Sequence, residues 1–120
     1  MTTLVLGASE NPQRYSNRAT ARLLAAGHEL VLIGGREGEV HGVPIHVGRP
    51  ALSGEVDTVT LYLNPARQEA YEEYLLDAVK PRRIIFNPGT ENPALERRAR
   101  AAGIEVERAC TLVLLATQTY

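Results

Sequence analysis

The segment LVLGASENPQRYSN, residues 4–17, carries the clearest indication of the fold. It joins a short apolar strand to a loop that opens with Gly7 and then to the start of a helix. Since Gly7 has no Cβ, the backbone there can turn sharply and approach a ligand closely. Ser16 is predicted to cap a helix that begins at about Asn17, and Arg14 adds donors suited to phosphate. Because a helix start attracts anions, the segment indicates a nucleotide-binding turn.

The composition fits a single globular domain over residues 1–120. The chain has 44% hydrophobic residues and a formal net charge of -1, so no excess of charge recruits nucleic acid or an anionic membrane. Five Tyr, one Phe and no Trp provide few aromatic side chains for stacking on bases. No apolar run approaches the roughly 20 residues of a membrane span. With the single cysteine Cys110, these features predict a cytoplasmic protein.

Apolar and amphipathic segments alternate along the chain. Strands are predicted at residues 4–6, 29–33, 58–63, 83–86 and 104–106, with an extended edge segment at 40–47. Helices are predicted at residues 17–26, 64–79 and 92–102, with apolar faces that reach Ala26, Ala78 and Ala102. Residues 111–115 form either a strand or a packed tail. This alternation predicts an α/β, Rossmann-like three-layer fold whose mostly parallel sheet has about five strands in a half-Rossmann order.

Four predicted loops follow the carboxyl ends of strands, where such sheets bind ligands. They cover residues 7–16, 34–38, 64–65 and 87–90, and all are rich in Gly, Asn, Pro, Ser or Arg. These residue types are also ordinary turn formers, so a purely structural role for any one loop stays open. Their occurrence at one edge of the sheet favours a shared ligand site.

The second strand narrows the choice of nucleotide. The opening loop has Ser9 and Pro12 where the usual dinucleotide fingerprint has glycines. An NAD site typically has an acidic residue at the end of the second strand, where it binds the ribose hydroxyl groups. In this chain the second strand is followed by Gly34, Gly35 and Arg36. A basic residue there favours a phosphorylated ribose, as in NADP or coenzyme A, although Arg36 could also be a solvated loop charge.

The sequence contains few candidates for catalytic residues or metal ligands. Cys110 lies beside an apolar run, which favours an inert, half-buried thiol. His28, His41 and His46 have no compact spacing with Cys or acidic residues, so no metal site is predicted. We therefore expect binding rather than catalysis.

Three segments carry a resemblance to a known family. GASENPQRYSN at residues 7–17, Asn64-Pro65, and FNPGTENPALERRARAAGIEVERACTLVLL at residues 86–115 resemble the stand-alone CoA-binding domain proteins. These proteins are similar to the N-terminal domain of the succinyl-CoA synthetase alpha subunit. The resemblance implies a Rossmann-like fold and coenzyme A or an acyl-CoA as ligand. It also implies that the residues at 7, 9 and 14–17 hold the phosphates and adenosine, with Arg36 and residues 62–65 also touching the nucleotide.

The chain departs from that family at two points. Many relatives have a Trp-x-Gln-x-Gly motif where this chain has residues 86–89, so the pocket near Asn87 is expected to differ. The second domain of the synthetase, with its phosphorylated histidine, has no counterpart, so ligase activity does not transfer.

The loops and the resemblance together give one set of predicted ligand-binding residues. They are Gly7, Ala8, Ser9, Arg14, Tyr15, Ser16, Asn17, Gly34, Arg36, Tyr62, Leu63, Asn64, Pro65, Asn87 and Gly89. The leading hypothesis is non-catalytic binding of coenzyme A or an acyl-CoA, a small-molecule nucleotide ligand. A small NADP-linked oxidoreductase or other nucleotide-binding enzyme is the alternative, weakened by the missing glycines and the missing catalytic base. A structural module with a vestigial pocket is the third.

Overall fold

The computed structural model describes all residues, 1–120, and shows strands alternating with helices. In chain order the elements are β1 (Thr2–Ala8), α1 (Tyr15–Ala25), β2 (Glu29–Gly34), β3 (Gly38–Val40), β4 (Val43–His46), β5 (Thr58–Leu61), α2 (Pro65–Gln68), β6 (Arg83–Phe86), α3 (Pro93–Ala101), β7 (Glu105–Arg108) and α4 (Thr111–Ala116). None of the helices combines the length and the apolar content needed to cross a membrane.

The strands form one sheet in the order β3-β4-β2-β1-β5-β6-β7. All neighbouring strands are parallel except β3 and β4, which are antiparallel. Without β3, the parallel strands follow the doubly wound Rossmann order, which confirms the predicted fold class. The order reverses between β1 and β5. In sheets of this kind, that reversal opens a crevice at the carboxyl ends of the two strands.

Helices cover both faces of the sheet. On one face, Leu95 and Ala99 of α3 pack with Leu75 and Val79 in the larger core, of 15 buried residues. On the other face, α1 and α4 cover a smaller core of 6 buried residues, to which α1 contributes Leu23. Burial of both faces suits the apolar runs of β1 and β2, whereas the buried strand β5 also contains Thr58 and Thr60.

The segment over residues 40–47 is a hairpin rather than the single edge segment predicted. His41 and Gly42, between β3 and β4, both have positive φ, at 49° and 85°. Positive φ at both central residues matches the twist of a tight two-residue hairpin. β4 then pairs with β2 through Leu32 and Ile45, so β3 is the true edge. This hairpin accounts for the extra strands beyond the expected five.

The helix predicted over residues 64–79 is divided. After α2, a 3-10 turn covers Glu69–Tyr71 and a π-helical segment covers Tyr74–Val79. The wider π turn changes which residues share a face. As a result, Val79 is buried, whereas Ala78, predicted on the apolar face, is exposed.

The remaining differences lie at helix ends. Residues 111–115, predicted as either a strand or a packed tail, belong to helix α4, and Leu115 packs against the smaller core. Thr111 anchors this helix, because its N–H donates to Asn87 Oδ1 at 2.9 Å and its hydroxyl bonds to Thr60 Oγ1 at 2.8 Å. Ala26 and Ala102 are exposed because they lie one residue beyond α1 and α3.

Candidate functional site

A cavity of about 680 Å³ lies where β1, β2, β5 and β6 end. Its volume is in the range of small-molecule sites. It spans the crevice between β1 and β5, which places it where doubly wound sheets bind ligands. The lining residues come from four loops and β4: Gly7, Ala8, Ser9, Glu10, Asn11, Arg14, Tyr15, Ser16, Gly35, Arg36, Ile45, Tyr62, Leu63, Arg67, Pro88 and Thr90.

The loop between β1 and α1 forms the floor of the cavity. Gly7 has a φ of +101°, and a Cβ there would lie 3.0 Å from the carbonyl carbon of Tyr62. The loop is braced by Asn17, whose Nδ2 donates to Ser9 O at 2.9 Å, and by Asn11, whose N–H donates to Ser9 Oγ at 3.1 Å. The positive φ of Gly7 and its contact with Tyr62 therefore favour glycine at this position. Asn17 is buried and supports the loop rather than lining the cavity.

Helix α1 begins two residues earlier than predicted, and the predicted Ser16 cap is wrong. Arg14 occupies the cap position, and no side chain caps the helix. Because a helix lacks partners for its first N–H groups, those of Tyr15 and Ser16 have no acceptor within the protein. Both residues line the cavity. The uncapped start leaves these donors available to an anion.

Three guanidinium groups line the cavity, each from a segment that follows a different strand. Arg14, Arg36 and Arg67 follow β1, β2 and β5 respectively. The ion pairs of the protein use other arginines, such as Arg82 and Arg98, and none of these three makes one. The lining also contains no lysine, histidine or cysteine. The cavity therefore combines fixed positive charge with donors that suit phosphate or carboxylate.

Glu10 is the one acidic side chain in the lining, and it ties the β1 loop to the edge hairpin. Its Oε2 accepts a hydrogen bond from the N–H of Glu39 at 3.1 Å. A Cβ at Gly38 would come within 2.6 Å of Glu10 Oε1, so the carboxylate packs directly on β3. Glu10 thus offsets part of the positive charge and holds the loop in place.

The loops after β5 and β6 are joined by Gln68, which is completely buried. Its Nε2 donates to Leu63 O at 2.8 Å and to Thr90 O at 2.7 Å. Its Oε1 accepts from Asn92 Nδ2 at 2.9 Å. Since Leu63 and Thr90 both line the cavity, Gln68 fixes one wall of the site.

Four predicted residues on these two loops support the site from behind. Asn64 Oδ1 accepts from the N–H of Arg67 at 3.0 Å, and Pro65 begins α2, which confirms the predicted helix start. Buried Asn87 donates to Thr60 Oγ1 and Leu61 O and accepts from Thr111 N, so its polar atoms already have partners. Gly89 provides a positive φ of 92° between lining residues of the β6 loop.

Nine of the predicted residues line the cavity: Gly7, Ala8, Ser9, Arg14, Tyr15, Ser16, Arg36, Tyr62 and Leu63. Six do not: Asn17, Gly34, Asn64, Pro65, Asn87 and Gly89. Gly34 is buried beneath the lining, where a Cβ would collide with the carbonyl oxygen of Ala8. Seven lining residues were not among the individually predicted ones: Glu10, Asn11, Gly35, Ile45, Arg67, Pro88 and Thr90. Of these, only Ile45 and Arg67 also lie outside the four loops predicted to form the site. A signal for Arg67 was present, because a cation lies two residues after Pro65 in the recognised Asn64-Pro65 helix start.

Two other groups bear on catalysis. Burial raises the pKa of Tyr62 to about 12, and bonds with Thr60 and Thr111 only partly oppose it. Tyr62 thus stays protonated at neutral pH. Cys110 is half-buried and lies outside the cavity lining. No group of three or more His, Cys, Asp or Glu residues is arranged to hold a metal ion.

A family model described as "CoA binding domain" matches residues 1–116. No curated protein matches the chain. A crystal structure described as that of an uncharacterized protein is 47% identical, with a TM-score of 0.94, and the match covers 99% of this chain and 97% of the other.

More distant solved structures share the fold. A protein from Thermus thermophilus, titled cell-free ID.343, is 23% identical with a TM-score of 0.86, and the match covers 99% of this chain and 90% of that one. The dinucleotide-forming acetyl-coenzyme A synthetase 1 of Ca. Korarchaeum cryptofilum, in complex with phosphate and ADP, is 20% identical with a TM-score of 0.71. That match covers 88% of this chain but only 25% of the synthetase chain.

Proposed function

The chain belongs to the CoA-binding domain family, and on that basis we propose that it binds coenzyme A or an acyl-CoA without catalysing a reaction. The proposed ligand site is the cavity at the carboxyl ends of β1 and β5. The observation that carries the proposal is a pair of guanidinium groups without protein partners, those of Arg14 and Arg36, that line one cavity. A ligand with several phosphates supplies the partners that the protein does not.

The chemistry of the lining fits the parts of coenzyme A. The diphosphate is assigned to Arg14 and to the N–H groups of Tyr15 and Ser16 at the uncapped start of α1. The ribose phosphate is assigned to Arg36, which follows β2. The pantetheine arm then lies against Tyr62 and Leu63.

The non-catalytic role is supported by the same lining. It holds hydroxyl groups but no histidine, cysteine or lysine, and its one carboxylate, Glu10, already accepts a backbone hydrogen bond. A general base needs a free group within reach of the reacting proton. We also propose a cytoplasmic location, in keeping with the single thiol of Cys110.

An NADP-linked enzyme is the second candidate, because Arg36 also suits the ribose phosphate of NADP. The two ligands differ in the position of that phosphate and in the group attached beyond the diphosphate. Titration calorimetry with CoA, dephospho-CoA, NADP and NAD separates them. We expect CoA to bind most tightly, and binding of NAD alone would contradict the proposal.

Two substitutions test the assignment of the phosphates. Arg14→Ala should weaken CoA binding by roughly 10- to 100-fold, since charge-assisted hydrogen bonds contribute about 1.5–3 kcal/mol. Arg36→Ala should weaken CoA but have little effect on dephospho-CoA, which lacks the ribose phosphate. Arg97→Ala is the matched control, because this exposed arginine of α3 lies outside the cavity. Unchanged affinity in both test variants, with normal thermal stability, would place the site elsewhere.

A further inference from the structure

The order of the strands determines how the proposed ligand is oriented in the cavity. From one side of the cavity to the other, the lining loops follow β2, β1, β5 and β6. With the ribose phosphate at Arg36 and the diphosphate at Arg14, the uncharged pantetheine arm extends toward β5 and β6. Neighbouring strands are about 4.8 Å apart, so the β6 loop lies about 10 Å from the β1 loop along the sheet. The thiol end of the ligand therefore lies near Leu63, Pro88 and Thr90.

A third guanidinium, that of Arg67, lines the cavity at this end. Coenzyme A has no charged group there, because its pantetheine arm carries only amides, a hydroxyl and the thiol. Arg67 forms no ion pair within the protein. The nearest acidic residue on the β6 loop, Glu91, accepts a hydrogen bond from the N–H of Gly89 at 2.9 Å. The two proposed phosphate contacts thus leave one cation without an anionic partner.

The backbone that carries Arg67 is held firmly. Its own N–H donates to Asn64 Oδ1 at 3.0 Å. The next residue, Gln68, is fully buried and bonds to both neighbouring loops. Because the backbone at Arg67 is fixed, its side chain extends into the cavity from a constant position. Less conformational entropy is then lost when a ligand binds.

We propose that Arg67 favours CoA thioesters whose acyl chain ends in a carboxylate. This inference rests on the proposed function and names the class of acyl group. A guanidinium matches a carboxylate through two parallel N–H donors. An acyl chain attached to the thiol extends beyond pantetheine, and its terminal carboxylate supplies the anion that coenzyme A lacks at that end.

Titration calorimetry with matched thioesters tests the inference. Succinyl-CoA is compared with butyryl-CoA, and glutaryl-CoA with valeryl-CoA, so that each pair has equal chain length and differs in the terminal carboxylate. We expect the carboxylate member of at least one pair to bind about fivefold tighter, which corresponds to about 1 kcal/mol. Arg67→Gln should abolish this preference and leave the affinity for free CoA unchanged. Arg97→Gln, the matched loss of an arginine outside the cavity, should change neither.

The possible outcomes separate this inference from the proposed function. Equal binding of both members of both pairs to the unsubstituted protein would overturn the role of Arg67. Equal weakening of CoA and all thioesters by Arg67→Gln would also overturn it, because Arg67 would then bind phosphate, while CoA binding would stand. Failure of every CoA compound to bind would refute the proposed function and the inference with it. Thermal melting of Arg67→Gln checks that the variant is folded.

Discussion

Gln68→Leu should destabilise the protein and weaken its ligand site together. The substitution removes three hydrogen bonds, to Leu63 O, Thr90 O and Asn92 Nδ2, at a residue that is 0% exposed. Each bond contributes about 1 kcal/mol net, and carbonyls left without donors add to the cost. The apolar surface of leucine offsets part of this loss. We therefore expect the free energy of unfolding to fall by about 2–4 kcal/mol.

Urea unfolding followed by circular dichroism measures this change, and a thermal melt should show a shift of roughly 10 °C. CoA affinity should fall as well, because Gln68 joins two loops that line the cavity. Gln13→Leu makes the same chemical change at an exposed position and should leave the free energy of unfolding nearly unchanged. A change below about 0.5 kcal/mol in Gln68→Leu would refute the reasoning. The predicted decrease in the free energy of unfolding together with unchanged CoA affinity would also refute it.

Two further predictions concern residues outside the cavity. Cys110→Ser should fold normally and leave CoA affinity unchanged by calorimetry; loss of binding would mean that the thiol has more than a structural role. Burial would raise the pKa of Glu96, but hydrogen bonds from Arg108 and the N–H of Asn92 outweigh it and keep the pKa below its usual range. Its stabilising contribution is therefore present above about pH 4.3 and is lost as the pH falls through the lowered folded-state pKa. Urea unfolding at pH 7 and pH 3 should show a deficit of Glu96→Gln that shrinks in acid, and an equal deficit at both would contradict this assignment.

The sequence predicted the fold class because its local signals agree with one another. Strand and helix periods alternate, and the Asn64-Pro65 and Asn92-Pro93 pairs both begin helices with Asn as the cap. The errors arose where tertiary contacts decide. Residues 111–115 are a short apolar run that suits either strand or helix. The run is helical where Thr111 bonds to Asn87 and Thr60, residues far away in sequence.

Part of the lining of the candidate site was predicted for a similar reason. Gly, Ser and Arg residues after strands are visible in the sequence, so the β1 and β2 loops were found. A buried glutamine inside a polar helix start looks like a solvated residue, and only the fold shows Gln68 joining two loops. The start of α1 could not be fixed from sequence, because Arg14 occupies the cap position and makes no side-chain capping bond.

The absence of lysine from the cavity matters for a ligand that is itself an acylating agent. A thioester transfers its acyl group to amines, and a lysine whose pKa falls in a partly buried site becomes such a nucleophile. Guanidinium groups keep their protons, so Arg14, Arg36 and Arg67 hold positive charge without offering an attacking nitrogen. The single lysine, Lys80, lies just before β6, at the amino-terminal ends of the strands and therefore opposite the cavity. A pocket built in this way offers no lysine amine to the activated acyl group of the proposed acyl-CoA ligand.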